Sequence, residues 1–371
     1  MKRPEIKLTE TQWEFPEPTI TTLTNGLTVW HFPLPGQHIA AFELVLPAPL
    51  HTEPAELEGV GTIALAAADE STIAHPDMQE LLDLCGAALY GGARLHTSRL
   101  GARVSSRRIN ELLPLFADVL QAPAYADDDI ALHIESQDAA YKTRLASPSS
   151  ASRWAMRMAL YGTSQRCGRP LAGSPDTLAR ITRDDVVAWH RRHFAANGAT
   201  LVVAGEIDDL DLAPLEAWEG TAERFPIGDG DTLPGSVVIV DIPGAVQASV
   251  QVGRRSISRL DPLWPAARLA GHVMAGGFDS RLNIELRERL GYTYGVSGGF
   301  APDLRGSLVQ FTTSTRTEVA GDAIRRMLDA LHLAEPITDD ELADAKAFRI
   351  GIAPLANETA ADIAEIGRAH V

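Results

Sequence analysis

Two polar side chains, Arg287 and Tyr294, are the residues whose types and spacing best suit chemistry on a peptide. They lie seven positions apart, on either side of Gly291. A guanidinium has several N–H donors and a phenol has one O–H donor. Together they could bind the oxygen of a polarised carbonyl, where losing one such donor costs roughly 3–4 kcal/mol. In the structural alternative, Arg287 pairs with Glu288 or Asp279 and Tyr294 begins a half-buried strand.

The elements around this pair indicate one unit that is used twice. Four patterns of the first half return in the same order in the second half, at an offset of about 205–212 residues. They are a strand, a helix, a strand and a helix, at 39–46, 57–68, 97–105 and 110–122, and again at 246–252, 263–275, 306–314 and 320–334. A repeat of this length indicates a duplicated domain rather than a solenoid unit.

Each copy alternates strand pairs with helices. This order predicts an α+β fold with two duplicated domains, each with an antiparallel-rich mixed sheet and helices packed on one face. We predict an N-terminal domain at 1–215, a linker at 216–236 and a C-terminal domain at 237–371 that bears the Arg/Tyr pair.

The second copy is shorter than the first. The first copy continues through a helix capped near 182–185 and a strand at 199–204, and neither has a counterpart before the last residue. Residues 366–371 fit no predicted element. We interpret the C-terminal domain as incomplete and the chain as a gene fragment with a foreign tail. A sheet without its last strand would expose an edge and favour aggregation.

Composition excludes several classes of protein. The chain has 371 residues, of which 45% are hydrophobic, so two cores can form. The net charge of −16 argues against non-specific nucleic-acid binding and against docking on anionic lipid. Cys85 and Cys167 have no metal or redox spacing. No stretch resembles a secretory signal or a membrane span, and we therefore expect a cytoplasmic protein.

Several local motifs resemble those of the insulinase/pitrilysin family, which includes the mitochondrial processing peptidases. The resemblance covers almost the whole chain, and the order and spacing of the motifs make it specific. The motifs are Thr22–Val29, the helix entry Leu57–Gly61, Ala199–Gly205, Asp241–Ala248, Gly276–Leu282 and Leu286–Tyr294.

Active members of that family carry the inverted zinc motif H-x-x-E-H. Aligned on Glu58–Gly61, its two histidines fall on Thr62 and Ala66, and its glutamate falls on Leu65. The third ligand falls near Glu135. One carboxylate cannot hold catalytic zinc, because three protein ligands are usual. We therefore predict neither a metal nor another cofactor in this chain, and a close-packed helix at 62–68.

No other cluster replaces the lost motif. His190 and His193 are three residues apart on a predicted helix, but no third ligand accompanies them. Their neighbours Arg191 and Arg192 favour a solvated basic face. The serines at 147–150 have no nucleophile-elbow context.

The resemblance implies roles for the Arg/Tyr pair. In that family the second domain supplies an arginine and a tyrosine seven residues apart: the arginine holds substrate and the tyrosine donates to the attacked carbonyl. Arg287 and Tyr294 keep this spacing, and Tyr292 would take the second role in a shifted register.

Retention of this pair beside a lost zinc motif implies a non-catalytic subunit of a heterodimeric zinc endopeptidase. Its zinc-bearing homologous partner would perform the hydrolysis of a peptide or an unfolded protein. Two alternatives stay open: a structural or assembly subunit without a proteolytic role, and a stand-alone metallopeptidase with an unrecognised metal site.

Overall fold

The computed structural model describes residues 13–223, 235, 237–301 and 308–368. Nine strands are present in these ranges: β1 Thr19–Thr22, β2 Thr28–Pro33, β3 Ile39–Leu46, β4 Ala88–Ala93, β5 Ser98–Ser105, β6 Thr200–Gly205, β7 Gln247–Arg255, β8 Val296–Ala301 and β9 Leu308–Arg316. The predicted α+β class is confirmed.

Twelve α-helices accompany the strands in the described part of the chain. They are α1 Val60–Ala66, α2 Met78–Cys85, α3 Ile109–Gln121, α4 Asp127–Ala146, α5 Pro148–Tyr161, α6 Pro175–Leu178, α7 Arg183–His193, α8 Ala213–Glu216, α9 Trp264–Gly271, α10 Ala320–Leu331, α11 Asp339–Ile352 and α12 Ala360–Arg368. Two π-helical segments follow α9, at His272–Gly276 and Asn283–Arg289.

The strands form two sheets. The first has the order β1-β2-β6-β3-β5-β4, in which only β2 and β6 run parallel. The second has the order β7-β9-β8 and is antiparallel throughout. In both sheets the third strand of a β-β-β series inserts between the first and the second, as in β3-β5-β4 and β7-β9-β8.

Each sheet is covered on one face by helices of its own half of the chain. In the first sheet, Phe42 and Leu44 of β3 share a core with α1, α2, α3 and α7. In the second, Val252 and Phe311 pack with Met327 of α10 and with the π-helical segments.

A helix from the other half of the chain lies across the second face of each sheet. Ile363 and Ala364 of α12 pack on Ala41 and Val202 of the first sheet. In return, α5 crosses β7, where Ser152 Oγ lies 2.9 Å from Ser249 Oγ. A Cβ at Gly253 would lie 2.3 Å from Met156 Cε, so glycine permits this close approach. The two halves are therefore joined by exchanged helices.

Several predicted boundaries shift for local reasons. The helix predicted at 57–68 spans only Val60–Ala66, because Gly59 precedes it with a φ of 107°, outside helical geometry. The helix predicted at 263–275 ends at Gly271 and continues as a π-helical segment. Residues 306 and 307 of a predicted strand lie outside the described residues.

The end of the chain differs from the prediction. Helix α12 runs through Arg368, so the expectation that 366–371 belong to no element is wrong for 366–368. Residues 369–371 lie outside the described part of the chain. Most of the predicted linker at 216–236 also lies outside it, so the predicted domain boundaries stay predictions.

An apolar strip precedes the second sheet. Val237 and Ile239 are 88% and 89% exposed. In the first sheet, β6 fills the space between β2 and β3. Among the described residues no strand takes the corresponding place beside β7, which pairs only with β9.

Within those same residues, no helix has the length and apolar character needed to cross a bilayer.

The expected solvated face at His190 and His193 is wrong. Both histidines are buried, whereas Arg191 and Arg192 are exposed. His190 Nε2 lies 3.0 Å from the carbonyl oxygen of Leu120. Burial lowers the pKa of each histidine to about 4. Helix α7 packs on α1, and residues three apart share the buried face.

We predict that the buried histidines make the protein less stable in mild acid. Between pH 6.5 and about 4 the unfolded chain binds a proton that folded His190 does not, so stability falls as the pH decreases. Each such histidine contributes a slope of about 1.4 kcal/mol per pH unit. Urea unfolding at pH 7, 6 and 5 gives the free energy of unfolding at each pH. Its decrease per pH unit should be smaller in His190→Gln than in the wild type, by about 1.4 kcal/mol.

His38→Gln is the control, because His38 lies at the surface. Burial raises the pKa of Asp69 to about 6, so below that pH this carboxyl makes the protein more stable as the pH falls. This contribution is the same in the wild type, His190→Gln and His38→Gln, and it cancels in the comparison. Parallel stability curves for the wild type and His190→Gln would contradict the assignment.

Candidate functional site

Helix α1, which bears the degenerate motif, is held at its start by two ion pairs, of which the first is buried and the second partly buried. Glu53 accepts hydrogen bonds from the backbone N–H groups of Gly59 and Gly61, at 3.1 and 3.0 Å, and from Arg166 Nη2 at 2.7 Å. Burial raises the pKa of Glu53, although Arg166 acts in the other direction. Arg169 Nε donates to Glu58 Oε1 at 2.9 Å. Losing one partner of a buried pair such as Glu53 and Arg166 costs about 3–5 kcal/mol.

A cavity of about 530 Å³ lies beside α1. Thr62, Leu65 and Ala66, the three positions aligned with the zinc motif, all line it. The remaining walls come from the end of α1, from α2, from strands β4 and β5, and from α4: Asp69, Glu70, Gln79, Leu89, Tyr90, Gly91, Gly92, Ala93, Leu100 and Gln137.

The polar groups of this cavity do not match a zinc site. Glu135, expected near the third-ligand position, is exposed, and Gln137 of the same helix lines the cavity instead. Glu70 Oε1 lies 2.9 Å from His133 Nε2. Burial is the main cause that raises the pKa of Asp69 to about 6. The hydroxyl of Thr62, the methyl group of Ala66 and the amide of Gln137, which line the cavity, are not the imidazole and carboxylate ligands of catalytic zinc.

Among the described residues, no three His, Cys, Asp or Glu side chains are grouped to hold a metal ion. The cavity can instead receive an extended chain. Strand β4 forms an edge of the first sheet, and its Gly91 and Gly92 line the cavity. A Cβ at Gly92 would meet nothing within 4 Å, so the space above this edge is open. A peptide can add to such an edge through main-chain hydrogen bonds.

Arg287 lies in the π-helical segment of the second half. Its Cζ is 3.6 Å from the centroid of the Phe278 ring, and its Nη2 donates to Glu288 Oε1 at 2.8 Å. The ion pair with Glu288 is the contact that the structural alternative expected. The stack on Phe278 was not predicted, because sequence does not report which residues meet across a turn.

Tyr294 points into solvent and is 95% exposed. It does not begin a half-buried strand, since β8 starts at Val296. Its flanking backbone is nevertheless held: Thr293 Oγ1 accepts from Gly295 N at 3.0 Å, and Thr313 Oγ1 donates to Gly295 O at 2.9 Å. Tyr292 packs against the second core, so Tyr294 is the tyrosine with an accessible phenol.

Asn283 joins the segments on both sides of the pair. Its Nδ2 donates to the carbonyl oxygens of Gly277 and Val296, each at 2.9 Å, and its Oδ1 accepts from Val296 N at 2.8 Å. Asn283 is 5% exposed. One buried amide thus fixes the turn before Arg287 to the strand after Tyr294. The sequence carried no signal of this role, nor of Glu53 and Arg166, which are 113 residues apart.

Comparisons with known proteins agree with this architecture. Residues 180–348 match the profile described as the peptidase M16 inactive domain. A Rickettsia bellii protein described as an uncharacterized zinc protease is 22% identical over 341 residues, which cover 88% of this chain and 81% of the relative.

Solved structures share the fold. One is a peptidase M16 inactive domain from Pseudomonas fluorescens, with a TM-score of 0.85 and 23% identity over 95% of this chain and 87% of that one. Another belongs to complex III2 of Candida albicans, with a TM-score of 0.77 and 18% identity over 95% of this chain and 84% of that one.

Two helix-covered sheets beside a degenerate inverted zinc motif define a peptidase-like class of protein. The match over residues 180–348 and the relatives named above confirm the resemblance to this peptidase family that the motifs predicted.

We predict that Asn283→Ala destabilises the second half. The substitution leaves Val296 N and the carbonyl oxygens of Gly277 and Val296 without this partner, and buried orphaned groups cost about 1–3 kcal/mol each. Thermal and urea unfolding should show a loss of about 2–4 kcal/mol. Ser280→Ala, which removes one hydrogen bond to the same amide, serves as the milder comparison. Equal stability of Asn283→Ala and the wild type would contradict the role.

We predict that the purified chain, saturated with zinc and dialysed, retains far less than one zinc per chain by elemental analysis, because Thr62, Ala66 and Gln137 offer no suitable ligands. The matched gain-of-ligand control combines Thr62→His, Ala66→His and Gln137→Glu and should retain substantially more zinc. One tightly bound zinc in the wild type would instead support a stand-alone metallopeptidase.

Proposed function

We propose that this chain is a non-catalytic subunit of a heterodimeric zinc endopeptidase. Its partner is a homologous chain with an intact H-x-x-E-H motif, and Arg287 and Tyr294 complete the partner's active site. In this arrangement Arg287 binds the peptide, and the Tyr294 hydroxyl donates to the carbonyl under attack. The substrate is a peptide or an unfolded protein.

The observation that carries the proposal is the accessible Tyr294 phenol on a tethered backbone. A 95% exposed tyrosine packs little against the described part of the chain, whereas hydrogen bonds at Gly295 and Val296 hold the backbone that follows it. A donor presented from a held backbone suits stabilisation of developing negative charge, because less of the protein must reorganise during the reaction.

A second observation supports action on another chain. The cavity beside the degenerate motif is lined by residues between Thr62 and Gln137, and neither Arg287 nor Tyr294 is among them. Among the described residues, no three His, Cys, Asp or Glu side chains are grouped to hold zinc in this cavity. The pair and the chain's cavity therefore do not form one site within the chain, which favours a role for the pair opposite a partner.

The cavity itself suits a passive role in the same assembly. The open edge of β4 beside it can align an extended substrate by main-chain hydrogen bonds. The net charge of −16 favours neutral or basic peptides over acidic ones. We assign the assembly to the cytoplasm, where Cys85 and Cys167 would stay free thiols.

The alternative is a structural subunit without a proteolytic role. It is favoured by the likeness to a chain of complex III2 from Candida albicans, although a likeness at 18% identity concerns the fold alone. In that role Arg287 and Tyr294 would have no effect on peptide hydrolysis.

Co-expression with an H-x-x-E-H homologue from the same genome tests the proposal. We expect a stable complex that cleaves an internally quenched peptide library, whereas each chain alone is much less active. In the complex, Arg287→Ala and Tyr294→Phe should each lower kcat/KM by about 10²–10³. The readouts are complex mass by light scattering and initial rates of cleavage.

Matched controls separate this effect from general damage. Arg289→Ala removes an exposed arginine from the same segment, and Tyr292→Phe removes a phenol two residues from Tyr294. Both should leave kcat/KM within a few-fold of the wild type. Full activity of the double variant Arg287→Ala/Tyr294→Phe would contradict a role of these residues in the partner's active site and would favour the structural alternative.

A further inference from the structure

The contact between Arg287 and Phe278 has a geometry that suits a function beyond stability. The guanidinium carbon lies 3.6 Å from the ring centroid, so the planar group is close enough to rest on the ring. A guanidinium has five N–H donors in its plane and can stack on an aromatic face at the same time. Stacking uses the face of the group, so the donors of its edge other than the one that Nη2 gives to Glu288 stay available for a ligand.

Phe278 is itself held in place. It lies in the turn whose Ser280 N–H donates to Gly277 O at 3.2 Å, and Asn283 Nδ2 donates to the same carbonyl at 2.9 Å. The turn is thus tied to the start of the segment that bears Arg287. Yet the Phe278 side chain is 70% exposed and contributes no buried core surface. An exposed aromatic ring on a fixed turn points to a task other than packing.

We propose that Phe278 is the positioning residue for Arg287, and this inference rests on the proposed function. The ring holds the guanidinium face in a set orientation, so that its donor edge is presented to a peptide carbonyl or carboxylate of the substrate. Without the ring, the long arginine side chain samples many rotamers and loses orientation before it binds. Phe278 acts through Arg287 and does not touch the reacting atoms.

The test compares three substitutions of Phe278 in the active complex. Phe278→Leu keeps an apolar side chain but removes the π face, and should raise KM by about two- to five-fold with little change in kcat. Phe278→Tyr and Phe278→Trp keep the π face and should restore the wild-type KM. Leu263→Ala, another exposed apolar position, is the control and should change neither constant.

A double-mutant cycle identifies the route of the effect. In an Arg287→Ala background, Phe278→Leu should have no further effect on KM. An equal effect in both backgrounds would mean that Phe278 contacts the substrate directly, and would overturn the inference. If Arg287→Ala lowers activity but Phe278→Leu does not, only the positioning role fails. If Arg287→Ala has no effect, the proposed function fails.

A measurement on the chain alone checks the contact without the partner. In arginine-labelled protein, the side-chain N–H resonance that disappears in Arg287→Lys identifies Arg287. The ring current of Phe278 should shift this resonance upfield. The shift should be lost in Phe278→Leu and retained in Phe278→Tyr. An identical resonance position in Phe278→Leu and in the wild type would overturn the stack.

Discussion

The structure depends on one constraint: the apolar residues of each sheet must be covered by helices. In each half of the chain, local helices cover one face, and the second face is covered by a helix from the other half. Helix α12 lies on the first sheet and α5 crosses β7. Because burial of apolar area is the main favourable term in folding, this exchange couples the two halves into one body.

The two halves carry separate candidate regions. The cavity beside α1 lies in the first half and the Arg287 and Tyr294 segment lies in the second, and neither Arg287 nor Tyr294 lines the cavity. Ion pairs of Glu53 with Arg166 and of Glu58 with Arg169 hold the start of α1, the helix that contains Thr62, Leu65 and Ala66.

Polar groups inside the second half have a different role from those at its surface. The buried amide of Asn283 satisfies backbone groups of two segments, and a full set of such bonds makes an arrangement rigid and unique. The surface groups Phe278, Arg287 and Tyr294 are displayed by that framework. A stable support under exposed donors is the arrangement that a binding or catalytic surface needs.

Much of the fold followed from patterns along the chain. Strand patterns predicted at 39–46 and 246–252 located β3 and β7. Prediction failed where contacts distant in sequence decided the outcome. His190 and His193 resembled a basic surface, yet packing of α7 on α1 buried them. The choice of Gln137 over Glu135 as a cavity wall depended on the rotation of α4 about its axis.

The sequence by itself determined the resemblance to a peptidase family, the α+β class, the residues Thr62, Leu65 and Ala66 at the positions aligned with the zinc motif, and the spacing of the Arg/Tyr pair. These are properties of residue type and order, which local geometry and motif spacing express directly. Only the tertiary structure decided that Phe278 supports Arg287, that Asn283 ties the flanking segments together, and that Tyr294 rather than Tyr292 is exposed. Those facts arise from side chains meeting across turns and between strands, and the direction of a side chain is set by packing that a linear pattern does not contain.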